Sequence, residues 1–330
     1  MKNNISDSGG GQKRDKSKTI GLLKNALKVF IVAILIYFVF NQLSANWDNV
    51  LNYSWKLQPI LLIMSIFLHL FTFILFSKVW CILMSALGHD VKLIHAFKIS
   101  YIANLGRYIP GKIWPVFGMV YLAKQLGIRE EKSVTSWALA MIFSLPSAFL
   151  TSAVCILISP EILSNELQGH LGLWFYLFLS IIFIISISLI LLPNQTLSLF
   201  NWFLKLLKRP PINFKMKITT ALLVYFSYSI CWLSYGFSFW LFISSITSGA
   251  NIPVFPAIAS FVLAYQIGYL AIFAPGGVGI RELVLTVILA PYLGPISSGV
   301  AVAARVWNII IEVTSALIAW TIKLPQKSDS

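Results

Sequence analysis

Two Pro-Gly breaks inside long apolar runs constrain this chain more than any other feature. The first lies in Tyr101-Ile-Ala-Asn-Leu-Gly-Arg-Tyr-Ile-Pro-Gly-Lys-Ile-Trp-Pro-Val-Phe-Gly118. The second lies in Tyr265-Gln-Ile-Gly-Tyr-Leu-Ala-Ile-Phe-Ala-Pro-Gly-Gly-Val-Gly-Ile-Arg-Glu282. Proline removes a backbone donor and pushes the residue before it out of the helical region, so a helix must break at Pro110 and again at Pro275. Broken backbone at membrane depth survives only where protein or a wet cavity satisfies it. The pattern therefore predicts two interrupted helices facing one cavity, turned at Pro110, Gly111 and Gly118 in the first break and at Pro275, Gly276, Gly277 and Gly279 in the second.

That argument requires a bilayer, and the composition supplies the reason to invoke one. Of the 330 residues, 58% are hydrophobic and only 11% charged, whereas soluble domains are about half apolar and a quarter charged. The net charge of +14 points to the inner face of a membrane rather than to nucleic acid, because the basic residues gather in tails and loops. Cys81, Cys155 and Cys231 sit in apolar runs with neither CxxC spacing nor a histidine cluster, and read as small buried hydrophobes. No cofactor or metal motif is found, nor a Walker A, GxSxG or HExxH pattern, and an ATP-driven pump is excluded for this chain alone.

A spanning helix takes about 20 mostly apolar residues. After a polar basic tail over 1–19, six spans are predicted: 20–40, 59–87, 134–158, 171–192, 218–247 and 296–322, followed by a short tail over 323–330. Arg129-Glu-Glu-Lys132 reads as a solvated turn, and 193–217 as a basic loop. With the N-terminal tail in the cytoplasm, the basic links fall inside and the poorly charged loops outside, which satisfies the positive-inside rule. Counting each broken segment as two shallow spans keeps the same sidedness. Both termini are then cytoplasmic, and the expected location is the inner membrane of a cell.

The order span, span, broken segment, span occurs twice. Gly276 lies 165 residues after Gly111, Ile218 lies 159 after Pro59, and Ile296 lies 162 after Val134. One copy begins inside and the other outside. The expected fold is thus an all-α polytopic membrane protein of two inverted repeats, about 20–158 and 171–322. Each has three spanning helices and one Pro-Gly-broken re-entrant segment, the pattern of secondary transporters with a site at the repeat interface.

Ionisable residues at membrane depth are costly, and by default they are functional candidates. Arg305, Asn308 and Glu312 stand three and four apart and share a helix face; a structural Arg–Glu pair is the plainer alternative. Arg281 and Glu282 follow the second break directly, where a restarting helix presents free N–H groups and a positive dipole end to an anion. Arg107 and Lys112 flank the first break, either to hold a phosphate or to anchor at headgroup level. Lys78 reads as a snorkelling lysine and His69 as a packed histidine.

The breaks, together with Lys78-Val-Trp-Cys-Ile-Leu-Met-Ser-Ala-Leu-Gly88, carry a resemblance. In Gly106-Arg-Tyr-Ile-Pro-Gly111 and Phe273-Ala-Pro-Gly-Gly-Val-Gly-Ile-Arg-Glu282 the chain resembles the flippase-like transmembrane domain of bacterial lysylphosphatidylglycerol synthases, over roughly 22–322. The Lys78 stretch departs from the family, which often has Arg there. In full-length relatives this domain moves an aminoacylated phospholipid made by a soluble C-terminal domain, which does not follow Ile322 here. The resemblance therefore implies translocation of a membrane lipid (anionic, glycosylated or aminoacylated) rather than lysyl transfer. It also implies a separate lipid-modifying or glycosyltransferase enzyme as partner. The rival readings are a membrane enzyme using Glu282 or Glu312 on a lipid-linked sugar, and a non-catalytic anchoring subunit.

Overall fold

The computed structural model describes residues 37, 40, 41, 44 and 47–325, apart from 110–112, 161–164, 207–210, 212–213, 248–251 and 272–273; the side chains of 165–176, 196, 200, 203 and 204 are likewise outside it. The predicted basic tail, most of the first span, Pro110, Gly111 and Lys112 thus lie outside the described residues.

Among the described residues every regular element is helical. The order is α1 (Trp47–Asn52), α2 (Pro59–Ala86), α3 (Leu93–Asn104), a 3-10 turn (Leu105–Tyr108), α4 (Trp114–Lys124), α5 (Glu130–Ile158), α6 (Asn165–Leu191) and α7 (Pro193–Leu206). Then follow α8 (Ile218–Ile246), α9 (Val254–Leu270), a 3-10 turn (Pro275–Gly277), α10 (Ile280–Leu293), a 3-10 turn (Gly294–Ile296) and α11 (Ser297–Thr321). Among the described residues four segments are long and apolar enough to cross a membrane: α2, α5, α8 and the Pro275–Thr321 run that ends in α11. A fifth is reached if the pair bent by 108° at the α6–α7 junction counts as one.

Local chemistry sets the helix ends. Proline in the first turn starts α2 and α4, where its missing donor costs nothing. Gly88, with φ 78°, ends the chain's run through α2. Arg129 to Lys132 is not a solvated turn: Arg129 caps α5 in an extended conformation, and Glu130 and Glu131 form its first turn. Two carboxylates at the positive end of the helix explain the earlier start. Part of the predicted basic loop is also helical. Pro193 opens α7, and the Asn194 amide locks its start by accepting from the Met216 N–H at 2.9 Å and donating to the Met216 carbonyl at 3.2 Å.

The core is aromatic and small-residue in character. α2 lies along α8, with Thr72 and Ser234 sharing a hydrogen bond and the buried His69 ring 3.2 Å from Ser238 Oγ. Tyr235 of α8 packs among His69, Phe73, Phe261 and Tyr265. α8 and α9 meet closely at Gly236, where a Cβ would stand 2.7 Å from Ile258 Cγ2; small residues permit such approach in a bilayer, where lipid tails supply no hydrophobic drive. Buried hydroxyls turn back to their own helices, as Ser77 to the Phe73 carbonyl and Ser152 to Ala148, so apolar surroundings leave them satisfied. Large apolar side chains such as Phe67 (69% exposed) and Trp320 (73% exposed) face outward, as a lipid-facing surface requires.

Candidate functional site

Helices α3 and α4, of 12 and 11 residues, are each too short to cross a bilayer alone. Gly118 lets them cross: its Cβ would lie 3.1 Å from Ala103 Cα. Between them the 3-10 turn carries Arg107 and Tyr108 inward, and Ile109 is extended (φ −84°, ψ 132°) as the residue before a proline must be.

The second break is built differently. Ala274 is extended before Pro275, and Gly276, Gly277 and Gly279 take φ of 60°, 72° and 83°. L side chains strain in that left-handed region, so this tight reversal demands glycine. α10 then restarts at Ile280, with the Glu282 carboxylate accepting the Gly279 N–H at 2.8 Å. That is a capping interaction: the helix end that the sequence offers to an external anion holds the chain's own carboxylate.

A network ties the two breaks to α11. Arg107 forms an ion pair with Glu312 and donates to the Tyr265 hydroxyl at 2.8 Å. Glu312 also accepts from the Tyr108 hydroxyl and from the Asn308 amide, whose oxygen accepts from the Tyr235 hydroxyl at 2.8 Å. One turn away, Arg305 donates to the Gly276 carbonyl at 2.9 Å and stands 3.4 Å from Glu282 Oε1. The polar face of α11 is thereby divided, with Glu312 and Asn308 facing the first break and Arg305 the second. Buried ion pairs of this kind lose much of their Coulomb gain to desolvation, but losing one partner is costly.

Arg281 is placed otherwise. It is 7% exposed, its guanidinium lies 3.9 Å from the Tyr265 ring centre, and no carboxylate pairs with it among the described residues. Its Nε, buried, has no hydrogen-bond acceptor among them either. Gly268 makes room for it: a Cβ there would stand 2.5 Å from Arg281 Cγ. Both arginines line one cavity of about 240 Å³ between α2, α3, α5, α8, α9 and the two breaks, with Gly276 and Gly277 in its wall. The rest of the wall is largely aromatic, with Tyr101, Trp137, Trp232, Tyr235 and Tyr265, and with Gln266, Ser100 and Asn104 as polar groups.

The structure thus brings Arg107, Arg281, Glu282, Arg305, Asn308 and Glu312 together, the first two on the cavity wall and the others behind it. Lys112 lies outside the described residues. Sequence reasoning did not single out the aromatic wall or Gln266. The signal was present: Tyr228, Trp232 and Tyr235 recur at helical spacing on one face of a span, and Tyr265-Gln266 leads into the second break.

Comparison with known proteins agrees with this architecture. No curated protein matches the chain. The family model described as the lysylphosphatidylglycerol synthase TM region matches residues 25–318, nearly the whole chain. With its membrane-length apolar helices, the chain is a multi-pass membrane protein that belongs to the lysylphosphatidylglycerol synthase TM-region family.

Proposed function

We propose that the protein is a lipid translocase of the inner cell membrane, with both termini in the cytoplasm, which passes an anionic lipid headgroup through the aromatic cavity while the acyl chains stay in the bilayer. The observation that carries this is Arg281: a buried guanidinium on a cavity wall, without a carboxylate partner among the described residues and with a buried donor lacking an acceptor. Such a cation at membrane depth is costly unless it serves a ligand, and a guanidinium is suited to phosphate.

In this reading the two halves are inverted repeats and the broken segments are re-entrant, meeting from opposite faces at the cavity. Support comes from the short α3 and α4 beside one Pro-Gly break, the second break packed against the turn that carries Tyr108, and the α11 network touching both. Family membership supports a role in lipid modification or translocation. A separate lipid-modifying or glycosyltransferase enzyme would supply or consume the lipid. The enzyme reading is less favoured, because no carboxylate lines the cavity among the described residues; Glu282 caps α10 and Glu312 pairs with Arg107.

The test is reconstitution into vesicles carrying phosphatidylglycerol with a fluorophore on a short acyl chain, followed by quenching with a membrane-impermeant reductant. The wild-type protein should expose inner-leaflet probe to the quencher faster than protein-free vesicles do, and Arg281→Ala should return the rate to that of protein-free vesicles. Equal rates in wild-type and empty vesicles sink the proposal.

A further inference from the structure

The cavity's charge balance selects among lipid headgroups. Behind and along its wall stand Arg107, Arg281 and Arg305 against Glu282 and Glu312. Three guanidinium charges less two carboxylates leave one net positive charge among these described residues. The two carboxylates are held back from the cavity by their own contacts, so the charged groups that line it are Arg107 and Arg281 alone among the described residues. In a low-dielectric site an imbalance of one charge is strongly felt.

Two of the wall residues also carry orphaned donors. Arg281 Nε and Gln266 Nε2 are buried donors without an acceptor among the described residues, and both residues line the cavity. Gln266 is 2% exposed. Orphaned donors call for acceptor oxygens. The broad faces of Tyr101, Trp137, Trp232 and Tyr235 offer an apolar surface on which the C–H side of a sugar or polyol can lie while tyrosine hydroxyls meet its edge. A volume of about 240 Å³ leaves room for a phosphodiester with one small polyol or one sugar ring.

An ammonium-bearing headgroup fits poorly. No carboxylate lines the cavity among the described residues to receive it, and two guanidinium groups would repel it. We infer that the ligand is a net monoanionic phosphodiester lipid with a neutral polyol or single-sugar head, bound with its phosphate on Arg281, and not the cationic aminoacyl lipid for which the family is described. This rests on reading the cavity as a lipid-headgroup site.

The experiment is native mass spectrometry of the purified full-length protein, offered an equimolar mixture of four lipids with identical acyl chains. They are phosphatidylglycerol as monoanion, phosphatidylcholine as zwitterion, phosphatidic acid as the more highly charged anion, and lysylphosphatidylglycerol as cation. Phosphatidylglycerol should be retained at least about tenfold over both the zwitterion and the cation, the size of effect one charged hydrogen-bonded contact gives, and should also exceed phosphatidic acid. Arg281→Gln, which removes the net charge, should abolish that preference; Arg281→Lys, which keeps it, should preserve most of it. Retention of the lysyl lipid, or of phosphatidic acid, equal to or above phosphatidylglycerol overturns the headgroup assignment while leaving a lipid site standing. Equal, weak retention of all four overturns the lipid-site reading and the assignment with it. The wild-type ranking decides even if a variant does not fold.

Discussion

The two Pro-Gly breaks carry similar residues and do different work. Each has an arginine beside a glycine-bearing turn, and each arginine is buried against Tyr265. At the first break Arg107 meets Glu312, and its charge is answered by the protein. At the second, the nearby carboxylate of Glu282 caps α10 and faces Arg305, so Arg281 is left for something else. Two cations beside similar helix breaks thus differ in whether a neighbouring helix provides the counter-ion. On the proposed function, Arg107 is a structural tie between the first break and α11, and Arg281 the ligand contact.

The largest effect that would test this contrast comes from Glu312→Ala. It leaves Arg107 buried without its partner and should cost about 3–5 kcal/mol, read as a steep fall in thermal stability of the purified protein in detergent. If Glu312→Ala is tolerated as well as a surface change, Arg107 is not a structural tie and the contrast fails. Next comes Gly277→Ala. Its φ of 72° and a Cβ position 2.9 Å from Arg281 Nε combine strain with displacement of that side chain, for a cost of roughly 1–3 kcal/mol and loss of lipid transfer in the vesicle assay.

Arg281→Ala sharpens the same comparison from the other side. It removes a desolvated charge that has no carboxylate partner among the described residues, so stability should change by no more than about 1 kcal/mol while lipid transfer is lost. A stability loss matching that of Glu312→Ala would make both arginines structural. The smallest effect is expected at Lys124→Ala, which breaks the exposed pair with Glu130 at 3.3 Å. Such surface pairs contribute below about 0.5 kcal/mol, and both stability and transfer should stay at wild-type values; a larger fall would show that the α4–α5 junction matters more than its exposure implies.

Much of the fold was legible in the chain because bilayer length and apolar composition act on local sequence. The predicted 218–247 and 296–322 spans match α8 and α11 within a residue or so, since proline, lysine and glycine mark their ends. The misreadings were at interfaces. Arg129 to Lys132 looked like a solvated turn because charge alone does not distinguish a loop from a helix's first turn. The start of the 193–217 segment looked like a loop because its lysines outweighed, on paper, the periodic apolar face that makes α7 a helix.

The same division holds at the site. Burial of charge in a membrane span is a local fact, and it marked Arg281, Glu282, Arg305, Asn308 and Glu312 as candidates from their positions in the chain. Which of them would be paired was not local. Arg107 and Glu312 are more than 200 residues apart, and Tyr265, which accepts from Arg107, is 158 residues away in the chain. The sequence by itself determined that this chain lives in a membrane, where its helices run and where they break, because hydrogen bonding and solvation in a bilayer are settled over a few neighbouring residues. The tertiary structure alone decided that, of the two arginines on the cavity wall, Arg107 has a carboxylate partner and Arg281 has none among the described residues, because charge pairing falls off over a few ångströms and depends on helices that only folding brings together.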